Sequence, residues 1–134
     1  TYGDGVSSID LTALYGHHNA TRALGTVTSV HPPARFGEIQ VENGLVKAFS
    51  EKPQTASGSI NGGFFVFDKE AVKGFPRDPS VSLENDILPQ LSERAVLGAY
   101  QHDGFWQCMD TPREMLLLNE IWSRGKAPWQ MDDK

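Results

Sequence analysis

Twice in this chain an Asx-Gly dipeptide sits between two alternating apolar–polar runs, the strongest short-range constraint on its fold. The first stretch is FGEIQVENGLVKAFSEKP, centred on Asn43-Gly44, and the second is AVLGAYQHDGFWQCMD, centred on Asp103-Gly104. Asn-Gly and Asp-Gly accept the positive φ of a type I′ turn, whose twist matches that of the strands it joins. Each stretch therefore predicts a β-hairpin. The second strand of each ends on polar chemistry: Glu51-Lys52-Pro53 after the first, Asp110 after the second.

Other elements follow from periodicity and from caps. Val6 to Gly16 carries Ile9, Leu11, Leu14 and Tyr15 at helical spacing, with Ser7 or Ser8 as its cap. GTVTSVH, residues 25–31, alternates and is β-branched, so it predicts a strand stopped by Pro32-Pro33. SINGGFFVFD predicts another strand, entered through Gly62-Gly63, and SLENDILPQLSER a helix that Pro89 shortens or kinks. The last helix is the best signalled. Thr111 as N-cap places Pro112 first and Glu114 third, a capping box with the favoured proline. Its inner face is Met115, Leu118, Ile121 and Trp122, and Gly125 stops it. The order of elements predicts an α/β class with a partly mixed sheet.

At 134 residues the chain fits one domain with a real core, and 39% apolar with 22% charged residues is ordinary for a soluble globular protein. A net charge of −5 argues against nucleic acid as a partner, which demands a basic face. It says little about a small anionic ligand. One cysteine, Cys108, excludes an internal disulfide, suits a reducing cytoplasm, and reads as a buried small hydrophobe in its aromatic surroundings. There is no run of 18 apolar residues, so a membrane partner is not expected.

Four short stretches can carry chemistry: GDG at 3–5, EKP at 51–53, NGG at 61–63 and MDT at 109–111. Alone, each has a plain structural explanation as a turn, a solvated ion pair, turn backbone or a helix cap. Together they form a constellation. Thr111 already caps the last helix, which frees the Asp110 carboxylate. If Asp4 and Asp110 meet at one sheet edge, their repulsion at ~4 Å is about 4 kcal/mol, to be relieved by a shared proton or a cation. Magnesium suits the second solution, because it takes one or two carboxylates and fills its remaining sites with water and phosphate oxygens. Lys52 would hold a phosphate as a mobile point charge, and Asn61 and the bare backbone of Gly62 can read hydroxyl groups. That chemistry is phosphoryl or nucleotidyl transfer rather than acyl transfer. His17 and His18 read as surface residues, His31 and His102 lack metal-ligand spacing, and Trp106, Trp122 and Trp129 read as core or interface. No phosphate-cradling glycine loop occurs anywhere in the chain.

TYGDGVSSID, HPPARFGEI, EKP, INGGFFVF, AYQHDGFWQCMDTPRE and GKAPW, in this order, resemble the carboxyl-terminal portion of the glucose-1-phosphate cytidylyltransferases. These are a branch of the sugar-nucleotide pyrophosphorylases in the nucleoside-diphosphate-sugar transferase superfamily. GDG and EKP are common to the superfamily; RFG, INGGFF, GFWQCMDT and GKAPW are more particular to the cytidylyl branch. The resemblance implies a Rossmann-like fold and the reaction of CTP with α-D-glucose 1-phosphate to give CDP-glucose and pyrophosphate. It implies that Asp4 and Asp110 bind magnesium, that Lys52 holds the sugar phosphate and Glu51 a sugar hydroxyl, and that Asn61, Gly62 and Gly37 belong to the sugar pocket. It also implies a homo-oligomer. The family's nucleotide loop lies upstream of GDG, so residues 1–134 correspond to the sugar-phosphate side, inactive alone, with Asp4 ending a strand formed by what precedes it. Two other readings stand beside this one: a non-catalytic half-domain for subunit contacts or ligand sensing, and a related transferase with another base or sugar.

Overall fold

A computed structural model describes residues 1–32, 38–50, 58–125 and 127–130. Its centre is strand β2 (Gly25–Val30), the middle of a three-stranded sheet. β2 pairs antiparallel with β5 (Ile60–Phe67) and parallel with β6 (Leu97–His102), so the sheet is mixed, as predicted. Thr26, Thr28 and Val30 on β2 are fully buried. A β-branched strand flanked on both sides, under a helix, is where this chain puts its core.

That helix is α1 (Leu11–Thr21), preceded by the short strand β1 (Gly5–Ser7). The sequence predicted one helix across both. The cap explains the difference. Asp10, not Ser7 or Ser8, accepts the N–H groups of Thr12 and Ala13 at 2.8 and 2.9 Å, so the helix starts after it. Val6 and Ser7 instead pair with Gln107 and Trp106 of strand β7 (Trp106–Cys108). Only Leu14 and His18 of α1 are buried, while Leu11 and Tyr15 face solvent. His18 is therefore a core residue and not a surface one. Its Nδ1 is hydrogen-bonded to the Thr26 hydroxyl at 2.8 Å, and its Nε2 lies 3.5 Å from the Asp68 carboxylate.

The first predicted hairpin forms. β3 (Glu38–Glu42) and β4 (Leu45–Ser50) pair antiparallel around Asn43 and Gly44, with φ of 52° and 79°. The second does not. β6 joins β2 while β7 joins β1, so the chain changes sheets at Asp103-Gly104 instead of folding back on itself.

β5 is irregular where its sequence reads Gly62-Gly63. Val27 faces Phe65 but Ser29 faces Asn61, leaving extra β5 residues bulged out of register. Gly63 sits at φ 77°, and a Cβ there would come within 2.5 Å of the Tyr2 ring, so a side chain is excluded twice over. Helix α2 (Lys69–Lys73) follows, then a π-type turn over Leu83–Ile87 that runs into α3 (Leu88–Glu93). The expected shortening at Pro89 does not occur: the helical stretch runs on to Glu93 and changes from π-type to α-type just before the proline. Lacking an N–H, it cannot extend the preceding ladder and stands in the first turn of α3.

Helix α4 (Pro112–Ser123) has the full capping box, and Gly125 follows it at φ 69°. Its predicted inner face is half realised: Leu118 and Ile121 are half-buried, whereas Met115 and Trp122 are exposed. Trp129 packs its ring 5.3 Å from that of Phe105. Among the described residues, no helix is long and apolar enough to cross a membrane.

Candidate functional site

The β1–β7 ladder runs one step past the strands. Gly5 pairs with Cys108, and the Met109 N–H then donates to the Asp4 carbonyl at 2.7 Å. Residues 4 and 110 thus leave the ladder at the same end, although 106 positions separate them in sequence. Both line a single cavity of about 790 Å³, whose walls also include Ile60, Gly62 and Gly63 of β5. Asp4 stands immediately before β1, whose residues pair with β7.

Backbone and ring contacts hold the two walls together. The Trp106 indole N–H donates to the Gly62 carbonyl at 2.8 Å, and the Tyr2 N–H to the Gly63 carbonyl at 3.1 Å. Asn61 is exposed but engaged: its Oδ1 accepts from the Gly63 N–H at 2.9 Å, and its amide donates to the Tyr2 hydroxyl at 3.0 Å. That hydroxyl in turn donates to the Glu84 carboxylate. Burial raises the Tyr2 phenol above its ordinary pKa, helped by the bond to Glu84; the same bond lowers the Glu84 carboxyl.

At the start of α4, Glu114 Oε2 accepts the N–H groups of Asp110 at 2.8 Å and Thr111 at 2.9 Å. The cap is thus built by Thr111 and Glu114, and the Asp110 carboxylate is not needed for it. Cys108, Asp110 and Glu114 present ligand atoms within 4.8 Å of one another. Burial, then the bond to Asp110 and the Glu114 charge, push the Cys108 thiol up to about 11. A protonated thiol is a poor ligand and a poor nucleophile. The donors that remain are carboxylate oxygens, which fit a hard cation such as magnesium better than zinc or copper.

Of the residues singled out in the sequence, Asp4, Asp110 and Gly62 share the cavity wall, and Asn61 stands beside its lining neighbours. Gly37, Glu51 and Lys52 lie outside the described residues. Sequence reasoning missed Tyr2, Arg113 and Glu114, which also line the cavity, and Glu84 behind Tyr2. The adjacency of Tyr2 to GDG was a usable signal. Glu84 had none, since its partner is 82 residues away.

Comparisons with known proteins agree with this architecture. The nucleotidyl transferase family model matches residues 2–120. The chain is 40% identical over 130 residues to the glucose-1-phosphate cytidylyltransferase of Salmonella typhi, covering 97% of this chain and 50% of that protein. It is 33% identical over 92 residues to the mannose-1-phosphate guanylyltransferase catalytic subunit beta of Drosophila melanogaster, covering 67% of this chain and 25% of that protein. In structure it resembles HddC from Yersinia pseudotuberculosis, with a TM-score of 0.61 at 20% identity over 90% of this chain and 52% of the other. A Bacillus anthracis structure assigned as a glucose-1-phosphate thymidylyltransferase gives a TM-score of 0.62 at 20% identity over 98% and 55%. These two likenesses establish the fold, a nucleotide-diphospho-sugar transferase fold. The chain spans about half the length of the cytidylyltransferase it matches. With a family model matching residues 2–120, the chain belongs to the nucleotidyl transferase family.

Proposed function

We propose that the chain forms the sugar-phosphate side of a glucose-1-phosphate cytidylyltransferase, which joins CTP and α-D-glucose 1-phosphate into CDP-glucose and pyrophosphate. The observation that carries this reading is that Asp4 and Asp110 line one cavity together with Gly62 and Gly63. Similarity to the Salmonella enzyme supports the choice of sugar and base.

In this reading a sugar-phosphate oxygen attacks the α-phosphorus of CTP in line. A new P–O bond forms while the bond from the α-phosphorus to the β-phosphate bridge breaks, and pyrophosphate leaves with that electron pair. Asp4 and Asp110 would hold magnesium, which when bound supplies neutralisation of charge on the phosphate oxygens. Lys52 steadies the sugar phosphate, Glu51 accepts a sugar hydroxyl, and Asn61, Gly62 and Gly37 shape the sugar pocket. No protein nucleophile takes part, in keeping with a Cys108 thiol that stays protonated at neutral pH. The rate gain is then positioning plus electrostatics. The reading includes a homo-oligomer, supported by Leu116 and Trp122 exposed on α4.

Calorimetry with glucose 1-phosphate and magnesium tests it. The expected result is a saturable heat that Lys52→Ala weakens about tenfold or more, the size of one lost charge-assisted hydrogen bond. Asp110→Asn should remove the magnesium dependence of binding without lowering the melting temperature. A folded sample that gives no saturable heat overturns the reading and favours a non-catalytic half-domain.

A further inference from the structure

We propose that Arg113 binds a phosphate oxyanion in the cavity that Asp4 and Asp110 line, where it is the one cationic side chain among the described lining residues; this inference rests on the sugar-phosphate reading above.

Charge on the cavity wall opposes an anion. Asp4 and Asp110 put two carboxylates there, and a phosphate entering between low-dielectric walls meets their field with little screening. A divalent ion on these acids would answer their charge. Arg113 adds a positive group that belongs to the chain itself.

Arg113 is also uncommitted. It makes no hydrogen bond or ion pair with any described residue, although Asp110 and Glu114 flank it in sequence. Other donors on the wall are already engaged. The Tyr2 hydroxyl donates to Glu84, the Trp106 indole to the Gly62 carbonyl at 2.8 Å, and the Gln107 amide to the Cys108 carbonyl at 2.9 Å. At the start of α4, the N–H groups of Asp110 and Thr111 go to Glu114, that of Glu114 goes to the Thr111 hydroxyl, and Pro112 has none. A phosphate in this cavity therefore finds the guanidinium of Arg113 ready, with five N–H donors in a planar fork that fits two oxygens of one phosphate group.

The helix has no use for this charge. Arg113 is the second residue of α4, where the backbone N–H groups carry partial positive charge, so a cation there opposes the helix dipole. Its side chain is exposed, so it fills no part of the core. Binding and stability should thus separate when it is replaced.

The chemistry recognised is a phosphate oxyanion, which a sugar phosphate and a pyrophosphate both supply. Calorimetry on the full chain with magnesium titrates glucose 1-phosphate in one arm and inorganic pyrophosphate in the other. Arg113→Gln should weaken at least one of them about tenfold or more, the size of a lost charge-assisted hydrogen bond. The arm that weakens identifies which phosphate Arg113 holds. The melting temperature should stay level or rise, because a cation has left the helix start. Arg113→Lys keeps the charge without the fork and should bind with an affinity between those of the wild type and Arg113→Gln.

Unchanged affinity for both anions in Arg113→Gln overturns the proposal. So does a weakening that comes with a lower melting temperature, or a lysine variant that binds no better than the glutamine one. If the wild type gives no saturable heat with either anion, the sugar-phosphate reading fails and takes this inference with it. If Lys52→Ala weakens glucose 1-phosphate and Arg113→Gln alters neither anion, only the role of Arg113 falls.

Discussion

Asn43-Gly44 and Asp103-Gly104 are nearly the same signal in sequence, yet they end in different structures. At the first, both residues take positive φ and their flanking strands pair with each other. At the second, neither residue takes positive φ and the flanking strands pair elsewhere. The difference lies in competition. β3 and β4 lie in a sheet of two strands, so their local turn decides the pairing. β6 has β2 beside it along its whole length, and β7 has β1. Burial against the core strand outweighs the local preference of one dipeptide.

The two glycines consequently serve different needs. Gly44 has open space around it but stands at φ 79°. Gly104 has an ordinary backbone but no room: a Cβ would fall 2.7 Å from the His102 ring and 2.8 Å from the Ser8 hydroxyl. That hydroxyl accepts the Phe105 N–H at 3.0 Å, so it cannot move freely. Gly104→Ala should therefore have the largest effect, a loss of roughly 1–3 kcal/mol from crowding, read as a lower urea midpoint. It should also disturb Asp110 through β7 and weaken magnesium-dependent binding. Gly44→Ala should cost about 1 kcal/mol, the penalty of a left-handed backbone with a Cβ, and leave binding through Asp110 intact. The contrast breaks if Gly44→Ala proves the more damaging change.

A smaller effect should separate the second region from the first by pH. Cys108 ends β7, and its folded pKa of about 11 stands above the ordinary value of 9.0. The unfolded chain loses this proton first as pH rises. The stability that the protonated thiol contributes is thus complete below pH 9 and is lost as pH climbs towards 11. Melting temperatures at pH 8 and pH 10 should differ more in the wild type than in Cys108→Ser. An equal pH response in both proteins would show that burial of this thiol carries no linkage.

Features that depend on neighbours in the chain were legible in sequence. The capping box of Thr111 and Glu114, the Asn43-Gly44 turn and the β2 and β5 strands all involve groups a few residues apart. Asp4 and Asp110, both of which line the cavity, stood out as well, because each stands in a motif with a chemical reading. Helix α1 was misplaced because two serines and an aspartate compete for one cap, and only the pairing of Val6 with Gln107 excludes the earlier start. His18 looked like a surface residue until Thr26 and Asp68 supplied both of its partners from other elements.

The amino-acid order by itself determined the mixed α/β class, the capping box of α4, the Asn43-Gly44 hairpin and the acidic residues worth watching. Only the tertiary structure decided that β6 and β7 part company, that Tyr2 bridges Asn61 and Glu84, and that Asp4 and Asp110 line one cavity. The physical reason is range. Turns and caps are closed by hydrogen bonds within a few residues, whereas a strand's partner is chosen by how much apolar surface each pairing buries, a quantity no local stretch of chain contains.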